Sequence, residues 1–235
     1  ETIDYGPCAF MDNYDPATVF SSIDHQGRYA YGNQPGIAHW NLARLAQALL
    51  PVMHTDDEQA LAMAQESLDS FSGLFQASYR SGMARKLGLS GFEAEDESLA
   101  AGLLELMAQE QADFTLTFRR LADLAQPETG SGVGELFEFS PLYTPWLERW
   151  RLRIEGDPQE PGKRQAIMYR ANPAYIPRNH LVAAAIDAAV NNSDFSPFNR
   201  LVDLLEQPRD YESGLAEYAR PPRPEEVVSK TFCGT

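Results

Sequence analysis

The sequence predicts a mainly α-helical chain with at most a small β element near its start. Three observations carry this expectation. From Gly36 onward, apolar residues recur every three or four positions, the period of a helix with one buried face. Ser-Pro and Thr-Pro pairs stand where helices would begin, and Gly88 follows a basic pair where one would end. Turn chemistry (Gly, Pro, Asp, Tyr) is gathered in residues 1–35, which sets a loop-like segment (1–35) apart from a helical body (36–235).

Within 1–35 only short patches such as Arg28-Tyr29-Ala30-Tyr31 read as extended. Asn13-Tyr14-Asp15-Pro16 and Gly32-Asn33-Gln34-Pro35 are turn signals, because proline biases its predecessor away from helix. Ile37, Trp40, Leu42, Leu45, Leu49 and Leu50 then form an apolar helix expected to end at Pro51. Thr55-Asp56-Asp57-Glu58 reads as a capping box, opening a long helix along Leu61, Ala64, Leu68, Phe71 and Phe75. Arg85 and Lys86 suit its negative end, and Gly88 its left-handed cap. Ser90-Gly91-Phe92-Glu93 repeats the box pattern ahead of Leu99, Leu103 and Leu106. Phe114, Phe118, Leu121 and Leu124 form the next stripe.

Residues 126–141 carry Pro127, Gly130, Gly132, Gly134 and Pro141 and predict a mobile connection or a short hairpin. Thr144-Pro145 and Ser196-Pro197 each read as an N-cap followed by proline at the first helical position. Between those two helices an Ala-rich helix is expected from Pro177 to Val190. Arg220-Pro221-Pro222-Arg223-Pro224 predicts an extended tail.

A length of 235 residues suffices for one domain, or one domain with an extension. The net charge of −15 repels polyphosphate, so no nucleic-acid partner is expected without a local basic patch. The two basic runs, 149–153 and 220–223, are short and interleaved with acids or prolines. No apolar run approaches the roughly 20 residues of a membrane span, so no membrane partner is expected. Cys8 and Cys233 make neither a disulfide framework nor a zinc site. His25, His39, His54 and His180 are scattered and read as surface or satisfied core residues.

The chemistry-bearing stretch is Glu1-Thr2-Ile3-Asp4-Tyr5-Gly6-Pro7, followed by Phe10-Met11-Asp12. An apolar residue leading into Asp-aromatic-Gly matches the kinase element whose carboxylate holds Mg²⁺ against ATP phosphates. Asp4 would be that carboxylate, with Gly6 allowing the sharp turn; a turn Asp bonding its own backbone is the competing reading. The chain has no initiator Met and no nucleotide pocket ahead of this motif, so it is expected to be the C-terminal part of a larger enzyme. Asp12, Asp15 and Asp24 read either as a second cation site or as turn residues. Arg28 reads as a phosphate clamp or a structural ion-pair partner. The aromatics Tyr5, Phe10, Tyr14, Phe20, Tyr29, Tyr31 and Trp40 read as a peptide-binding surface or as anchors onto a helical core. Cys233, near the end, reads as a redox-active thiol or a free cysteine.

Taken together, these segments resemble the selenoprotein-O family of kinase-like protein adenylyltransferases. The resemblance also rests on Asp24 with Gly27-Arg28-Tyr29, Asn33-Gln34-Pro35, Trp40-Asn41-Leu42, Asn172-Pro173, Arg178-Asn179 and Ala185-Ile186 with Ala188-Ala189. It implies transfer of AMP from ATP to Ser, Thr or Tyr hydroxyls of proteins, with Mg²⁺ or Mn²⁺. Asp4 matches the family's metal-binding Asp, which also contacts the nucleotide. The catalytic-base Asp and a second metal ligand are expected upstream of Glu1, so no catalytic residue is assigned here. The implied fold is the later C-lobe of a protein-kinase-like domain plus a helical C-terminal extension, inactive when isolated. Cys233 is similar to the cysteine of bacterial members, which implies a bacterial cytoplasmic protein. In some members that cysteine pairs with one in the activation-like segment; Phe20 stands at the matching position, which puts that disulfide in doubt. A Cys8–Cys233 bond requires Cα atoms within about 7 Å. A conventional protein kinase and a non-catalytic helical interaction domain remain the alternatives.

Overall fold

The computed structural model describes residues 9–231, and among these the chain is mainly helical. The principal helices are α1 (Gln34–Met53), α2 (Asp57–Leu87), α3 (Asp96–Glu110), α4 (Phe114–Ala125), α5 (Thr144–Glu155), α6 (Pro161–Ala171), α7 (Asn179–Asn192) and α8 (Ser196–Glu206). A single turn, α9 (Ala216–Ala219), follows. Among the described residues, β structure is limited to an isolated antiparallel bridge between Asn13 and Asp113.

The main core is built from the C-terminal end of α2 with α3, α4, α5 and α6. Leu87, Leu103, Met107, Leu121, Trp150 and Met168 are fully buried there. Both indole N–H groups are satisfied on the way in: Trp146 donates to the Leu99 carbonyl at 2.8 Å and Trp150 to the Leu87 carbonyl at 2.9 Å. Gly88 ends α2 at φ 76°, and a Cβ there would lie 2.6 Å from the Met168 sulfur, so the cap has to be glycine. A smaller cluster of Ala174, Tyr175 and Ala219 packs against Leu204, Leu205 and Tyr218.

Several expected boundaries shift. α1 continues to Met53 with Pro51 inside it; the proline removes one rung of the ladder, its own bond to the Gln47 carbonyl, and the helix ends two residues later. The cap of α2 is Asp56 rather than Thr55: its carboxylate accepts from the Gln59 N–H at 3.0 Å, where a negative charge also suits the helix dipole. Ser90 does not open α3, because its N–H and hydroxyl both donate to Asp157, at 2.9 and 2.8 Å. Thr144 and Ser196 lie inside their helices. Ser140 caps the 3₁₀ turn that leads into α5, and the Asp194 carboxylate accepts from the Ser196 N–H at 2.9 Å. The Ala-rich helix begins at Asn179 and ends at Asn192, two residues later than expected at each end. Residues 126–141 form no hairpin; 3₁₀ turns are tied down by buried Val133 and by Asp123, which accepts from the Ser131 N–H at 2.9 Å. In the tail, a 3₁₀ turn at Pro224–Glu226 follows the extended stretch. The basic runs are engaged within the fold: Arg153 pairs with Asp96 at 2.7 Å, and Arg220 donates to Glu226 at 2.8 Å.

Candidate functional site

The segment from Ala9 to Asn33 has no α-helix or strand and ends in a 3₁₀ turn, Tyr31–Asn33, yet its own side chains fix its course. The Asp15 carboxylate accepts from the Ala17 N–H at 2.8 Å. Asp24 accepts from the N–H groups of Arg28 and Tyr29, both at 2.8 Å. Asp15 and Asp24 are therefore turn residues, the second of the two readings offered by the sequence. Gly27 takes φ 63°, and its carbonyl accepts from the Asn33 amide at 2.8 Å. The Arg28 guanidinium lies 4.3 Å from the Trp40 ring centre, and α1 thus starts against the loop.

Tyr14 stacks on Phe114 at 5.7 Å and meets Tyr31 edge-on at 5.8 Å. Burial, then the neighbouring Tyr14, pushes the Tyr31 hydroxyl up to about 12. These aromatics anchor the loop to the helical core, while Phe10 and Trp40 keep exposed faces.

The main tether is ionic. Arg178, wholly buried just ahead of α7, donates to Asp12 at 2.7 Å, to the Asp113 carboxylate, and to the Ala219 carbonyl at 2.8 Å. Burial disfavours the charge of this guanidinium; Asp113 and Asp12 outweigh that and raise its pKa. Asp113 also caps α4, accepting from the Leu116 N–H at 2.8 Å. Asp12 is accordingly an ion-pair partner of Arg178. Next to it, Asn179 mimics a strand: it accepts from the Phe10 N–H at 3.1 Å and donates to the Phe10 carbonyl at 2.8 Å. His180 is buried, but neither ring nitrogen has a hydrogen-bond partner, so it is a core histidine that goes unsatisfied. Burial, then the positive Arg220, lowers its pKa and keeps it neutral.

The C-terminal tail returns to the same loop. The Ser22 N–H donates to the Thr231 carbonyl at 2.8 Å, and the Thr231 hydroxyl donates to the Phe20 carbonyl at 2.7 Å. Loop, tail and Asn179 enclose a polar cleft of about 330 Å³, with Phe10, Asp12, Phe20, Ser21, Asn179 and Thr231 in its wall. Ala9 and Thr231 both border this cleft. Asp4, Cys8 and Cys233 lie outside the described residues. Among the described residues, no three His, Cys, Asp or Glu side chains are gathered closely enough to hold a metal ion, and the second cation site does not form. The residues that matter most to the geometry, Arg178, Asp113 and Asn179, carry no motif of their own; Arg178 and Asn179 entered the sequence reading only through the resemblance. No helix among the described residues is long and apolar enough to cross a membrane.

The chain is 52% identical over 236 residues to a protein of Rhodopseudomonas palustris (strain BisB5) named "Protein nucleotidyltransferase YdiU", covering 100% of this chain and 48% of the relative. A protein of the same name from Bradyrhizobium sp. (strain ORS 278) is 52% identical over 235 residues, again with 100% and 48% covered. One from Methylorubrum populi is 50% identical over 242 residues, covering 100% of this chain and 49% of the relative. The chain thus spans about half the length of the curated relatives it matches. A family described as "Protein adenylyltransferase SelO" matches residues 1–206. The chain belongs to the SelO protein adenylyltransferase family.

Proposed function

We propose that this chain is the C-terminal half of a protein adenylyltransferase with a kinase-like fold, which moves AMP from ATP onto Ser, Thr or Tyr hydroxyls of other proteins. The family match over residues 1–206 is the observation that carries this reading. The relatives' name, protein nucleotidyltransferase, agrees with it. Their sources are bacterial, in agreement with a bacterial origin, and the cytoplasm is the place of action in this reading.

In this reading Asp4 holds the divalent cation, Mg²⁺ or Mn²⁺, whose charge offsets that of the phosphates when it is bound. Among the described residues, Asn179 and Arg178 clamp Phe10 and Asp12, the part of the loop that follows the Asp4 motif in sequence. A loop so clamped presents its cleft without reorganisation, as positioning of a substrate hydroxyl requires. Attack at the α-phosphorus forms the new P–O bond and expels pyrophosphate, with the hydroxyl proton passing to a base outside this chain. Lacking that base, the chain alone is inactive. Cys233 would offer a thiol for redox control.

The test uses a full-length relative, its variant at the position aligned with Asp4→Ala, and this chain. Each is incubated with Mg²⁺ and with ATP labelled at the α or the γ phosphate. Label from the α position on protein, lost in the variant and absent with this chain, is the expected result. Label from γ alone would identify a conventional kinase, and no transfer by any sample would favour a non-catalytic interaction domain.

A further inference from the structure

We propose that α1 is a docking helix for the half of the full-length protein that this chain does not span. None of its 20 residues is buried, although its sequence is apolar on more than one side. A helix of that composition belongs inside a protein. Leu42, Leu45, Leu49 and Val52 are 40%, 53%, 42% and 78% exposed. Their spacing of three, four and three residues puts them along one side of the helix, within about 80° of arc. α2 covers a different side, where His39 meets Phe71 at 5.5 Å. The exposed row is therefore a continuous apolar stripe, of the kind that marks an interaction surface.

The occupant is fixed by length. Relatives that match this chain end to end are about twice as long, at 48% coverage, so a second body of similar size is present in them. A second copy of this chain fits less well, because two bodies of net charge −15 repel.

The inference is tested by cysteine accessibility, a readout separate from nucleotide transfer. Leu45→Cys is made in this chain, and the aligned position is changed to cysteine in the full-length Rhodopseudomonas palustris relative. Native maleimide labelling is followed by peptide mass spectrometry, with Glu66→Cys, exposed on α2, as the control. The expected result is labelling at position 45 about 100-fold slower in the full-length protein, with the control alike in both. Equal rates at position 45 would overturn the proposal. Protection in this chain alone that grows with its concentration would also overturn it, in favour of self-association. Hydrogen exchange on the unsubstituted proteins covers a variant that fails to fold: α1 amides must exchange more slowly in the full-length protein, and equal exchange counts against docking.

Discussion

The Arg178 junction and the α1 helix invert the usual rule of burial. A guanidinium and a carboxylate, Arg178 and Asp113, sit in the interior bonded to each other, with only the Arg178 Nε left without a partner, while a row of leucines on α1 faces water. The junction is closed on itself: loop, α4, α7 and tail supply every partner it uses. The α1 surface is open: Leu42, Leu45, Leu49 and Val52 are 40%, 53%, 42% and 78% exposed. The difference separates what this chain stabilises by its own contacts from what it offers to others. Charge is tolerated inside where its partners are all local, and apolar surface is tolerated outside where its partner is another body.

The largest expected effect lies at the junction. Arg178→Ala leaves Asp113 buried and unpaired and frees both Asp12 and the Ala219 carbonyl, which should cost about 3–5 kcal/mol in urea unfolding. Asp12→Asn keeps the size of the side chain at a partly exposed partner and should cost less, on the order of 1 kcal/mol. If both variants unfolded at the wild-type midpoint, the junction would not be the tether it is described as.

Lys86 sharpens the contrast from within the core. Its ammonium group donates to the Asn172 side chain at 3.1 Å and lies 4.7 Å from the Phe118 ring centre. Burial lowers its pKa from 10.5 to about 8. The folded form therefore releases its proton near pH 8, while the unfolded chain keeps it until about 10.5. Across that window the unfolded state binds more protons, so stability rises with pH. Wild type minus Lys86→Met should gain roughly 2–3 kcal/mol between pH 7 and 10, from denaturant unfolding at each pH. Loss of the Asn172 contact shifts that difference by a constant and leaves its slope intact. A flat difference would mean that Lys86 is solvated.

Apolar period made the long helices legible. The stripes through Leu99 and Leu103, and through Phe118 and Leu121, all point into the core. α6 was invisible for the same reason, because its inward face is Arg164, Gln165 and Met168, which no hydrophobic period reveals. Arg164 is satisfied by backbone carbonyls, Gly88 at 3.1 Å, Ile154 at 2.7 Å and Gln159 at 2.8 Å, the first of them 76 residues away. Caps were misread where a better acceptor lay one or two residues away, as Asp56 beside Thr55 and Asp194 before Ser196. Of the candidate site, the turn roles of Asp15 and Asp24 were readable as one of two options from local proline and glycine. The pairing of Asp12 with Arg178 was not, since it spans 166 positions and is set by the meeting of loop and α7.

The smallest effects belong to the helical hairpin and complete the comparison. Asp56→Ala removes the acceptor for the Gln59 N–H and should cost about 1 kcal/mol, while Thr55→Ala should cost almost nothing. Leu45→Asp should change the stability of this chain by no more than about 0.5 kcal/mol, because the side chain is 53% exposed and forfeits little packing. In a full-length relative, the aligned substitution would place a carboxylate against apolar surface, where an unpaired charge costs several kcal/mol. Thermal or urea unfolding of both proteins reads the two numbers side by side. A small effect in both would leave the α1 stripe as ordinary surface; a large effect in this chain would mean that the stripe is already packed within it.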